Sequence, residues 1–441
     1  MINELTINQV KPVSYAVNSE NKISLGGILV EDLAKKYGTP LYVLCEQTIR
    51  ERIKAYKRGF EKTNTAYEIV YASKALNCQA VCKLMQSENI GLDVVSGGEL
   101  YTALSVKFPT NKIIFHGNNK SFEEISMSIE NQVTIVVDSF RDIDLIKQYL
   151  ETKAAPVKVL IRITPGIECH THEYIKTGKI DSKFGFNLED VERVIELLLA
   201  LKSVTIRGLH AHIGSQIFET IPHRDVCRVL LERYKRIKDK YDLEFELINV
   251  GGGLGIKYLE SDDPPEIEAW VGVICEAIKA YAQEFALKQP VIMIEPGRSL
   301  VGPAGATVYT VGNIKNIEGI RKYVAVDGGM ADNTRPIMYQ AKYLTELDGK
   351  PKQSKKEIVT IAGRYCESGD VLIKDVELPE ANAGDRLVVY STGAYNYSMS
   401  SNYNRVPRPA MVLVDDGKSS VIIERENNQD IISKDHLPNW F

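Results

Sequence analysis

The feature that most constrains the fold of this chain is a regular alternation of short apolar runs with longer segments of helical periodicity. Each run is rich in Val, Ile and Tyr, and the alternation is typical of βα units. The runs are YEIVYA (67–72), GLDVV (91–95), KIIFH (112–116), VTIVV (133–137), KVLIRI (158–163), IRGLHAH (206–212), ELINV (246–250) and VIMIE (291–295). They number eight, which is the number of parallel strands that closes a barrel. The sequence therefore predicts a (β/α)8 barrel.

Two of the intervening helices are evident from their apolar spacing. Val191, Val194, Ile195, Leu198 and Leu199 follow the i, i+3, i+4, i+7, i+8 pattern of one helix face. Asn187 precedes them as the predicted N-cap, and a second helix is predicted from Pro265 to Phe285. Both helices would lay an apolar stripe against the outside of the sheet.

The pattern changes after about residue 303, where strands follow one another without long helices. The predicted strands are ATVYTVG, KYVAVD, EIVTIAG, DVLIKD, RLVVYS, AMVLV and SVIIE. Residues 1–37 hold strand-like pieces and a small helix, too little to bury a core alone. We predict a barrel domain over 38–303, and an all-β domain formed by 304–441 and completed by 1–37.

Charge and composition exclude several classes of protein. Lys and Arg number 54 against 58 Asp and Glu, so the chain has no field that would attract a nucleic acid. No run of 18 apolar residues predicts a membrane span, and the N-terminus lacks the pattern of a secretory signal. The seven cysteines form no Cys-x-x-Cys pair, which favours a reducing compartment, and we expect the cytoplasm.

Reactive side chains follow the predicted strands at the ends where barrel enzymes place their working residues. They are Ser73-Lys74, Asp93 with Ser96-Gly97-Gly98-Glu99, His116-Gly117-Asn118, Arg162, the run from His210 to Ser215, Gly251-Gly252-Gly253-Leu254-Gly255, and Glu295-Pro296-Gly297-Arg298. They are expected to converge on one mouth.

The glycine run after the seventh strand leaves backbone N–H groups open to an anion. Barrels often hold phosphate after strands seven and eight, so the run is interpreted as a phosphate cradle, with a tight turn as the alternative. A dinucleotide fingerprint is not met, because the position three after Gly253 is Ile256 and the position three after Gly255 is Tyr258.

Lys74 stands directly after an apolar strand, although a lone lysine is usually a solvated charge. At a barrel mouth its amine would be partly desolvated, which favours the neutral form and Schiff-base chemistry. Asp93, on the next strand, could steer that amine.

His210 and His212 are two apart on a predicted strand and so would share a face. Such a pair can bind a metal, but only His116 is near enough to complete a ligand set, and no metal site is predicted. A flat imidazole can instead stack on an aromatic cofactor ring. Glu295 is either a surface carboxylate or the partner of a protonated ring nitrogen, and with Arg298 it could form a plain salt bridge.

The densest polar cluster of the β domain is Cys366-Glu367-Ser368-Gly369-Asp370, between two predicted strands. A cysteine in such a loop is often inert. The adjacent carboxylate favours the protonated thiol, which can give up a proton. Two further polar stretches, Gly393-Ala394-Tyr395 and Ser401-Asn402-Tyr403-Asn404, follow.

Taken together, these motifs resemble those of the diaminopimelate decarboxylases, which belong to the alanine-racemase-like enzymes that use pyridoxal 5'-phosphate. The resemblance spans nearly the whole chain. Motifs of the wider group are Tyr71-Ala72-Ser73-Lys74, His210-Ala211-His212-Ile213-Gly214-Ser215-Gln216 and Glu295-Pro296-Gly297-Arg298. More specific to the branch are His170-Thr171-His172-Glu173-Tyr174, Asp181-Ser182-Lys183-Phe184-Gly185-Phe186, Arg335-Pro336-Ile337-Met338-Tyr339 and Cys366-Glu367-Ser368.

The resemblance implies a TIM barrel of the alanine-racemase type with a C-terminal β domain, and a role for each matching residue. Lys74 would form the Schiff base, His212 would stack on the ring and Glu295 would hold the ring nitrogen. Further cofactor residues would be Asp93, Ser215, Gly252, Gly253, Gly297, Arg298 and Tyr395. Substrate residues would be Arg298, Arg335, Tyr339, Glu367 and Tyr395. Cys366 would donate a proton from the partner subunit, which implies a homodimer.

The implied reaction is removal of CO2 from the D-centre of meso-diaminopimelate to leave L-lysine. Three alternatives remain open at this point. They are a related decarboxylase acting on another basic amino acid, a cofactor-binding protein without catalysis, and a metal hydrolase.

Overall fold

The computed structural model describes residues 8–167, 182–355 and 357–441. The chain forms two compact units. One, the barrel unit, comprises 52–255 and 263–300, and the other, the β unit, comprises the segments 1–51, 256–262 and 301–441.

The helices and strands are numbered in chain order. The strands are β1 (Ala16–Val17), β2 (Ile23–Leu25), β3 (Ile28–Leu29), β4 (Leu41–Cys45), β5 (Tyr67–Ala72), β6 (Gly91–Val94), β7 (Ile113–Phe115), β8 (Thr134–Val137), β9 (Val157–Arg162), β10 (Val204–His210), β11 (Leu247–Asn249), β12 (Val291–Ile294), β13 (Gly305–Ile317), β14 (Arg321–Val326), β15 (Thr345–Leu347), β16 (Glu357–Ala362), β17 (Val371–Leu378), β18 (Arg386–Tyr390), β19 (Ala410–Asp415) and β20 (Lys418–Ile423). The α-helices are α1 (Val30–Tyr37), α2 (Glu46–Thr63), α3 (Gln79–Ser87), α4 (Gly97–Ser105), α5 (Phe122–Glu130), α6 (Phe140–Thr152), α7 (Val191–Leu199), α8 (Ile221–Tyr241), α9 (Ile267–Glu284), α10 (Arg298–Val301), α11 (Arg335–Tyr339) and α12 (Asn428–Ile432).

The barrel unit confirms the predicted eight-stranded architecture. Strands β5 to β12 pair in parallel and in chain order, and β12 pairs with β5 to close the barrel. The strands form because apolar β-formers fill both faces, as expected when helices cover the outside and side chains fill the inside. One cluster of buried apolar side chains comes from six of the eight barrel strands, namely Val70, Ile114, Val136, Leu160, Leu247 and Met293.

Serine N-caps fix the start of three successive barrel helices. Ser96 accepts a hydrogen bond from the Glu99 N–H at 3.2 Å at the start of α4, and Ser139 caps α6 in the same way. At α5, Ser121 and Glu124 form a reciprocal capping box. The predicted helix after 187 is confirmed as α7, but Asn187 is not its N-cap. Asn187 instead closes a turn through its backbone carbonyl, which accepts the Asp190 N–H at 3.0 Å.

A buried ion pair supports the carboxyl ends of β7 and β8. Lys120 and Asp142 have side chains that are each 1% exposed, and the Nζ–Oδ2 distance is 2.8 Å. Lys120 Nζ also donates to the carbonyl oxygens of Gly117 at 2.6 Å and Val136 at 2.8 Å. Asp142 Oδ2 also accepts the backbone N–H of Asp138 at 2.8 Å. The ammonium thus ties two strand ends to α6.

The β unit is built on a mixed sheet with the order β17-β16-β14-β13-β4-β19-β20, and β18 pairs with β13 and β15. Its strands include those predicted after residue 303. Two buried apolar clusters flank the sheet, one containing Val43, Val308 and Val412 and the other Val324, Ile361 and Val389. Within residues 8–37, which the structure describes, lie a separate three-stranded sheet, β1-β2-β3, and α1.

The units divide the chain differently from the predicted boundaries of 38–303 and 1–37 with 304–441. Residues 38–51 and 256–262 lie in the β unit. The reason is β4, which sits in the middle of the sheet, antiparallel to β13 and parallel to β19. Its sequence, Leu41–Cys45, is as apolar as a barrel strand, so composition does not reveal which sheet it joins.

Within the described part of the chain, no helix combines the length and the apolar character needed to cross a membrane.

Candidate functional site

Lys74 lies in a single 3-10 turn, Ser73–Ala75, immediately after β5 at the carboxyl end of the barrel. Its side chain is exposed, whereas the sequence predicts partial desolvation. Its positive charge lowers the pKa of His212, after the larger effect of burial, and it also acts on Asp93. The ammonium is therefore electrostatically coupled to both groups expected to work with it.

Asp93 is 1% exposed on β6. Its carboxylate lies 3.9 Å from His116 Nε2, and burial raises its pKa to about 6 against the opposing charge of His116. Asp93 Oδ1 has no hydrogen-bond partner among the described residues. A buried carboxylate oxygen that can still accept a hydrogen bond thus lies on β6, the neighbour of β5, and Lys74 directly follows β5.

Glu295, directly after β12, is held by three donors on three other strand ends. Its Oε1 lies 2.7 Å from His116 Nε2 and accepts from Asn249 Nδ2 at 2.7 Å. Its Oε2 lies 3.1 Å from His210 Nε2. The two imidazole rings pack edge to face, with centroids 4.6 Å apart. Glu295 is 6% exposed, so it is not the surface carboxylate that sequence left open.

This arrangement keeps Glu295 ionised. Burial alone would raise the pKa of its carboxyl, but the hydrogen bonds and partial charges of His116 and His210 hold that pKa well below its usual range. Burial lowers the pKa of His210, so the imidazole is neutral and donates through Nε2. The cluster can therefore present a buried anion to a positively charged partner. His116, His210 and Glu295 also lie close enough together to hold a metal ion, but both imidazoles are hydrogen-bonded to Glu295.

His212 stands two residues after the end of β10. Its Nδ1 accepts the backbone N–H of Gly252 at 3.2 Å. The predicted strand ran to 212, whereas β10 ends at His210, so the two-residue alternation that would give both imidazoles one face does not apply. His210 thus serves Glu295, and His212 is oriented by the glycine-rich turn.

That turn needs its glycines. A Cβ at Gly252 would lie 2.1 Å from the Glu295 carbonyl oxygen, and one at Gly253 would lie 2.8 Å from the Gly214 carbonyl oxygen. Gly253 also has φ +116, a conformation rarely adopted by other residues. The turn is therefore tight, as the alternative interpretation required, and it also brings backbone close to the ends of β10 and β12. The two interpretations are compatible.

Arg298 begins α10 and is 5% exposed. Its Nε and Nη2 donate to Ser215 Oγ at 3.1 and 3.0 Å. The preceding residue, Gly297, packs closely against the end of β5, since a Cβ there would lie 3.0 Å from the Cβ of Ala72. Arg298 does not pair with Glu295, so the salt bridge considered from the sequence is absent from the described residues.

In the β unit, the first residue of α11, Arg335, is a buried cation. Its Nη1 donates to the hydroxyls of Tyr258 at 2.7 Å and Tyr343 at 2.8 Å. Its guanidinium lies over the rings of Tyr258 and Tyr339, at 4.9 and 5.8 Å from their centroids. Among the described residues it has no carboxylate partner within 4.0 Å, and Nε has no acceptor. Such a cation is suited to an anionic ligand.

Cys366 and Glu367 are exposed in the loop between β16 and β17, and the Cys366 N–H donates to Asn404 Oδ1 at 2.8 Å. Tyr395, also in the β unit, is partly exposed and has φ +61. Tyr339 is partly exposed at the end of α11. All four residues lie in the β unit.

Of the branch-specific motifs, the segment 170–174 and Asp181, the first residue of the second motif, lie outside the described residues. The rest of the second motif is described, and its Gly185 N–H donates to Asp138 Oδ1 at 2.8 Å. The same carboxylate pairs with Arg162, whose Nη1 lies 3.4 Å from Asp138 Oδ2. Arg162 therefore belongs to a buried pair at the end of β9, next to this motif.

Sequence reasoning missed the part played by His116, His210 and Asn249 around Glu295. Each stands at or just after the end of a predicted strand, which was the available signal. Their convergence on one carboxylate depends on the closure of the barrel and cannot be read from spacing along the chain.

Comparisons with known proteins agree with this geometry. Residues 46–302 match the family model described as pyridoxal-dependent decarboxylase, pyridoxal binding domain. The chain is 47% identical over 414 residues to a diaminopimelate decarboxylase of Bacillus methanolicus, covering 93% of this chain and 96% of that protein. It is also 47% identical over 421 residues to that of Bacillus subtilis, covering 95% and 96%.

A solved structure extends the agreement to the whole fold. The diaminopimelate decarboxylase of M. jannaschii in complex with L-lysine superposes with a TM-score of 0.90 at 36% identity, covering 96% of this chain and 98% of that one. The predicted barrel and β domain are thus those of the relatives. By sequence, fold and the residues at its strand ends, this chain belongs to the diaminopimelate decarboxylases, within the family of pyridoxal-dependent decarboxylases.

Proposed function

We propose that the protein removes CO2 from the D-centre of meso-2,6-diaminopimelate to form L-lysine, the last step of lysine biosynthesis, with pyridoxal 5'-phosphate as cofactor. The observation that carries this proposal is Arg335, a buried guanidinium without a carboxylate partner among the described residues. Diaminopimelate differs from lysine in carrying a second carboxylate, and a buried arginine is the side chain best suited to bind it. The L-lysine complex of the M. jannaschii relative supports the same product.

The residues of the barrel unit fit the cofactor. The buried anion at Glu295 suits a protonated pyridine nitrogen, since three donors hold the carboxylate ionised. The turn at Gly253 has no room for a side chain, so its backbone N–H groups are open to a phosphate group. Arg298, which is hydrogen-bonded to Ser215, offers a guanidinium to the same group. His212, oriented by Gly252, offers a flat ring for stacking, and Lys74 offers the amine that binds the aldehyde. Asp93, Gly297 and Tyr395 complete the proposed cofactor set.

When bound, pyridoxal phosphate supplies a conjugated ring that withdraws the electrons released as CO2 departs. Glu295 keeps the proton on the ring nitrogen and so keeps the ring electron-withdrawing. His116, His210 and Asn249 act on that carboxylate by holding it in place and ionised. His212 covers a face of the ring and excludes water from it.

Positively and negatively charged residues are both proposed to select the substrate. Arg335 and Arg298 bind carboxylates, and Glu367 pairs with an ammonium group. Tyr339 and Tyr395 add hydroxyl donors. Ornithine and lysine lack the second carboxylate, so they would leave the buried charge of Arg335 uncompensated, at a cost that disfavours their binding.

Cys366 is the proposed proton donor to the carbon that has lost CO2. We further propose that the chain works as a homodimer in the cytoplasm, in which Cys366 of the partner subunit serves each site. A thiol in an exposed loop, as Cys366 is, supports a role outside the fold of its own unit.

The direct test is the product formed from three substrates by the cofactor-loaded protein. We expect CO2 and L-lysine from meso-diaminopimelate, with much lower kcat/KM for L-ornithine and L-lysine. Chiral analysis of the lysine identifies the reacting centre, since attack at the L-centre would leave D-lysine. Preference for ornithine, or no CO2 from any of the three, would refute the proposal.

An arginine pair tests the observation on which the proposal rests. Arg335→Met should lower kcat/KM for meso-diaminopimelate by about 100-fold, because a charged hydrogen-bonding partner is lost. Arg321→Met is the matched control, since Arg321 is a partly exposed residue of β14 whose Asp375 partner lies at 3.5 Å. Equal effects of the two substitutions would contradict the role given to Arg335.

The shared site is tested by mixing two inactive variants. Lys74→Ala and Cys366→Ala lie in different halves of the proposed site. In a mixed dimer one site would keep both native residues, so mixing should restore about a quarter of the wild-type activity. Failure to regain activity after subunit exchange would show that Lys74 and Cys366 of one site come from the same chain.

A further inference from the structure

Two loops of the β unit follow the carboxyl ends of neighbouring strands, at the same end of the sheet. Strands β14 and β16 pair in parallel, so the 328–334 loop after β14 and the 363–370 loop after β16 begin side by side. The first loop leads directly into Arg335. The second contains Cys366 and Glu367. The residues proposed to bind the substrate carboxylate and to give the proton are therefore carried by adjacent loops.

Each loop contributes a buried carboxylate that reaches the other. Asp370, 4% exposed, accepts the Met330 N–H at 2.7 Å from the 328–334 loop and the Tyr365 N–H at 2.8 Å from its own. Asp332, 1% exposed, accepts the Gly329 N–H at 2.8 Å from its own loop, and the Tyr365 hydroxyl lies 3.4 Å away in the other. Asp370 thus reaches from the 363–370 loop to the 328–334 loop, and Asp332 reaches from the 328–334 loop to the 363–370 loop.

Glycines let the loops come this close. A Cβ at Gly329 would lie 2.5 Å from Asp370 Oδ1, and one at Gly363 would lie 2.2 Å from Asp370 Oδ2. The Arg364 N–H donates to the Gly328 carbonyl at 2.9 Å, which adds a direct backbone link between the loops. The contact is therefore built into both sequences, and the residues adjoining Arg335 and Cys366 cannot shift independently while it is intact.

Resting on the proposed function, we propose that Asp332 and Asp370 are positioning residues that fix the loop bearing Cys366 to the segment bearing Arg335. Neither carboxylate touches the substrate. Each acts through backbone and tyrosine groups, and their joint effect is to hold the loop that presents Cys366 to the partner's site firmly against the segment that carries Arg335 of its own site. This is a role for two buried acids that the reaction itself does not use.

Titration of Asp332 provides a signature of this role. The pKa of Asp332 is raised to about 7, chiefly by burial and also by the negative charges of Asp370 and Asp327, although hydrogen bonds from Tyr309 and Gly329 oppose the rise. The titratable side chains that face it are Tyr42, Tyr309, Asp327, Tyr365 and Asp370. Protonation removes an acceptor from the bridge, so the positioning should weaken as pH falls through about 7.

The test uses the holoenzyme of Asp332→Asn and Asp370→Asn, with Asp375→Asn as matched control. Asp375 is an exposed residue of β17, and its side chain is 51% exposed. We expect kcat for meso-diaminopimelate to fall at least about tenfold in the first two variants, with KM and cofactor content little changed. We also expect the wild-type fall in kcat below about pH 7 to be absent in Asp332→Asn, because Asn does not titrate there.

A second readout is independent of activity. Iodoacetamide alkylation of Cys366, followed by peptide mapping, should be at least about threefold faster in Asp332→Asn and Asp370→Asn than in the wild type and Asp375→Asn, since a freed loop would let the thiol leave the partner's site, where the proposed dimer shields it. If either variant does not fold, Tyr365→Phe removes one bridging hydroxyl and carries the same expectation. Unchanged alkylation, or a kcat loss that matches loss of bound cofactor, would overturn the inference. Absence of wild-type activity on meso-diaminopimelate, with altered alkylation, would instead refute only the proposed function.

Discussion

Replacing Lys120 by Met should be among the most damaging single changes to the barrel unit. The ammonium uses its three donors on Gly117 O, Val136 O and Asp142 Oδ2, at 2.6, 2.8 and 2.8 Å. Met has a similar length but no donor, so Asp142 would keep only the Asp138 N–H, and its Oδ1 already lacks a partner among the described residues. Breaking a buried pair of this kind costs about 3–5 kcal/mol, because an uncompensated charge remains inside.

Urea unfolding followed by tryptophan fluorescence measures this loss. Of the two tryptophans, Trp270 is 1% exposed in the barrel unit and Trp440 is 79% exposed, so a Trp440→Phe background reports on the barrel. Lys235→Met is the control, because Lys235 forms the same type of pair with Asp239 at 2.6 Å on the surface. Exposed pairs contribute roughly 0–1 kcal/mol.

The double substitution Lys120→Met with Asp142→Leu separates burial of charge from loss of packing. Removing both charges should recover most of the lost stability, since apolar replacements of buried pairs are often neutral. A loss below about 1 kcal/mol for Lys120→Met, or no recovery in the double variant, would refute this argument.

Three further predictions concern the cofactor end of the site. Glu295→Gln should retain the cofactor but lower kcat by about 100-fold or more, measured as CO2 release per bound cofactor, because the ring nitrogen loses its anionic partner. Because folding lowers the pKa of Glu295, the ionised carboxyl stabilises the fold above the usual glutamate pKa, and this contribution is lost as pH falls through the pKa of the folded state. The free energy of unfolding of Glu295→Gln should therefore depend less on pH in acid. Lys74→Ala should show no cofactor trapped by borohydride at this position in a peptide map. Gly253→Ala should weaken binding of pyridoxal phosphate to the apoprotein by about tenfold or more in a fluorescence titration, because φ +116 and the Gly214 carbonyl at 2.8 Å oppose a Cβ.

The eight barrel strands were predictable because buried parallel strands carry a local signal, a short apolar run followed by helical spacing. The ends of these strands also identified Lys74, Glu295 and Arg298 as candidates, since βα loops collect reactive groups. These predictions use information that lies within about 30 residues of sequence.

Partners that meet only after the chain has folded could not be predicted. His116, Asn249 and His210 converge on Glu295 from strands far apart in sequence, and Lys120 finds Asp142 only once α6 is packed. The two units differ from the predicted domain limits for a related reason. Strand β4 has the composition of its barrel counterparts, and only its neighbours β13 and β19 show that it belongs to the other sheet.

The position of β4 between β13 and β19 has a consequence for synthesis on the ribosome. The ladder between β4 and β19 joins residues 41–45 to residues 410–415, which emerge almost 370 positions later. Residues 52–300 can meanwhile complete their own contacts, since domains fold as units during translation. The early strand must therefore wait at least until β13, its other neighbour, has emerged, and a chaperone that shields extended apolar segments would find Leu41–Cys45 open until then. Nascent chains stalled before β13 has emerged should show cleavage around this strand.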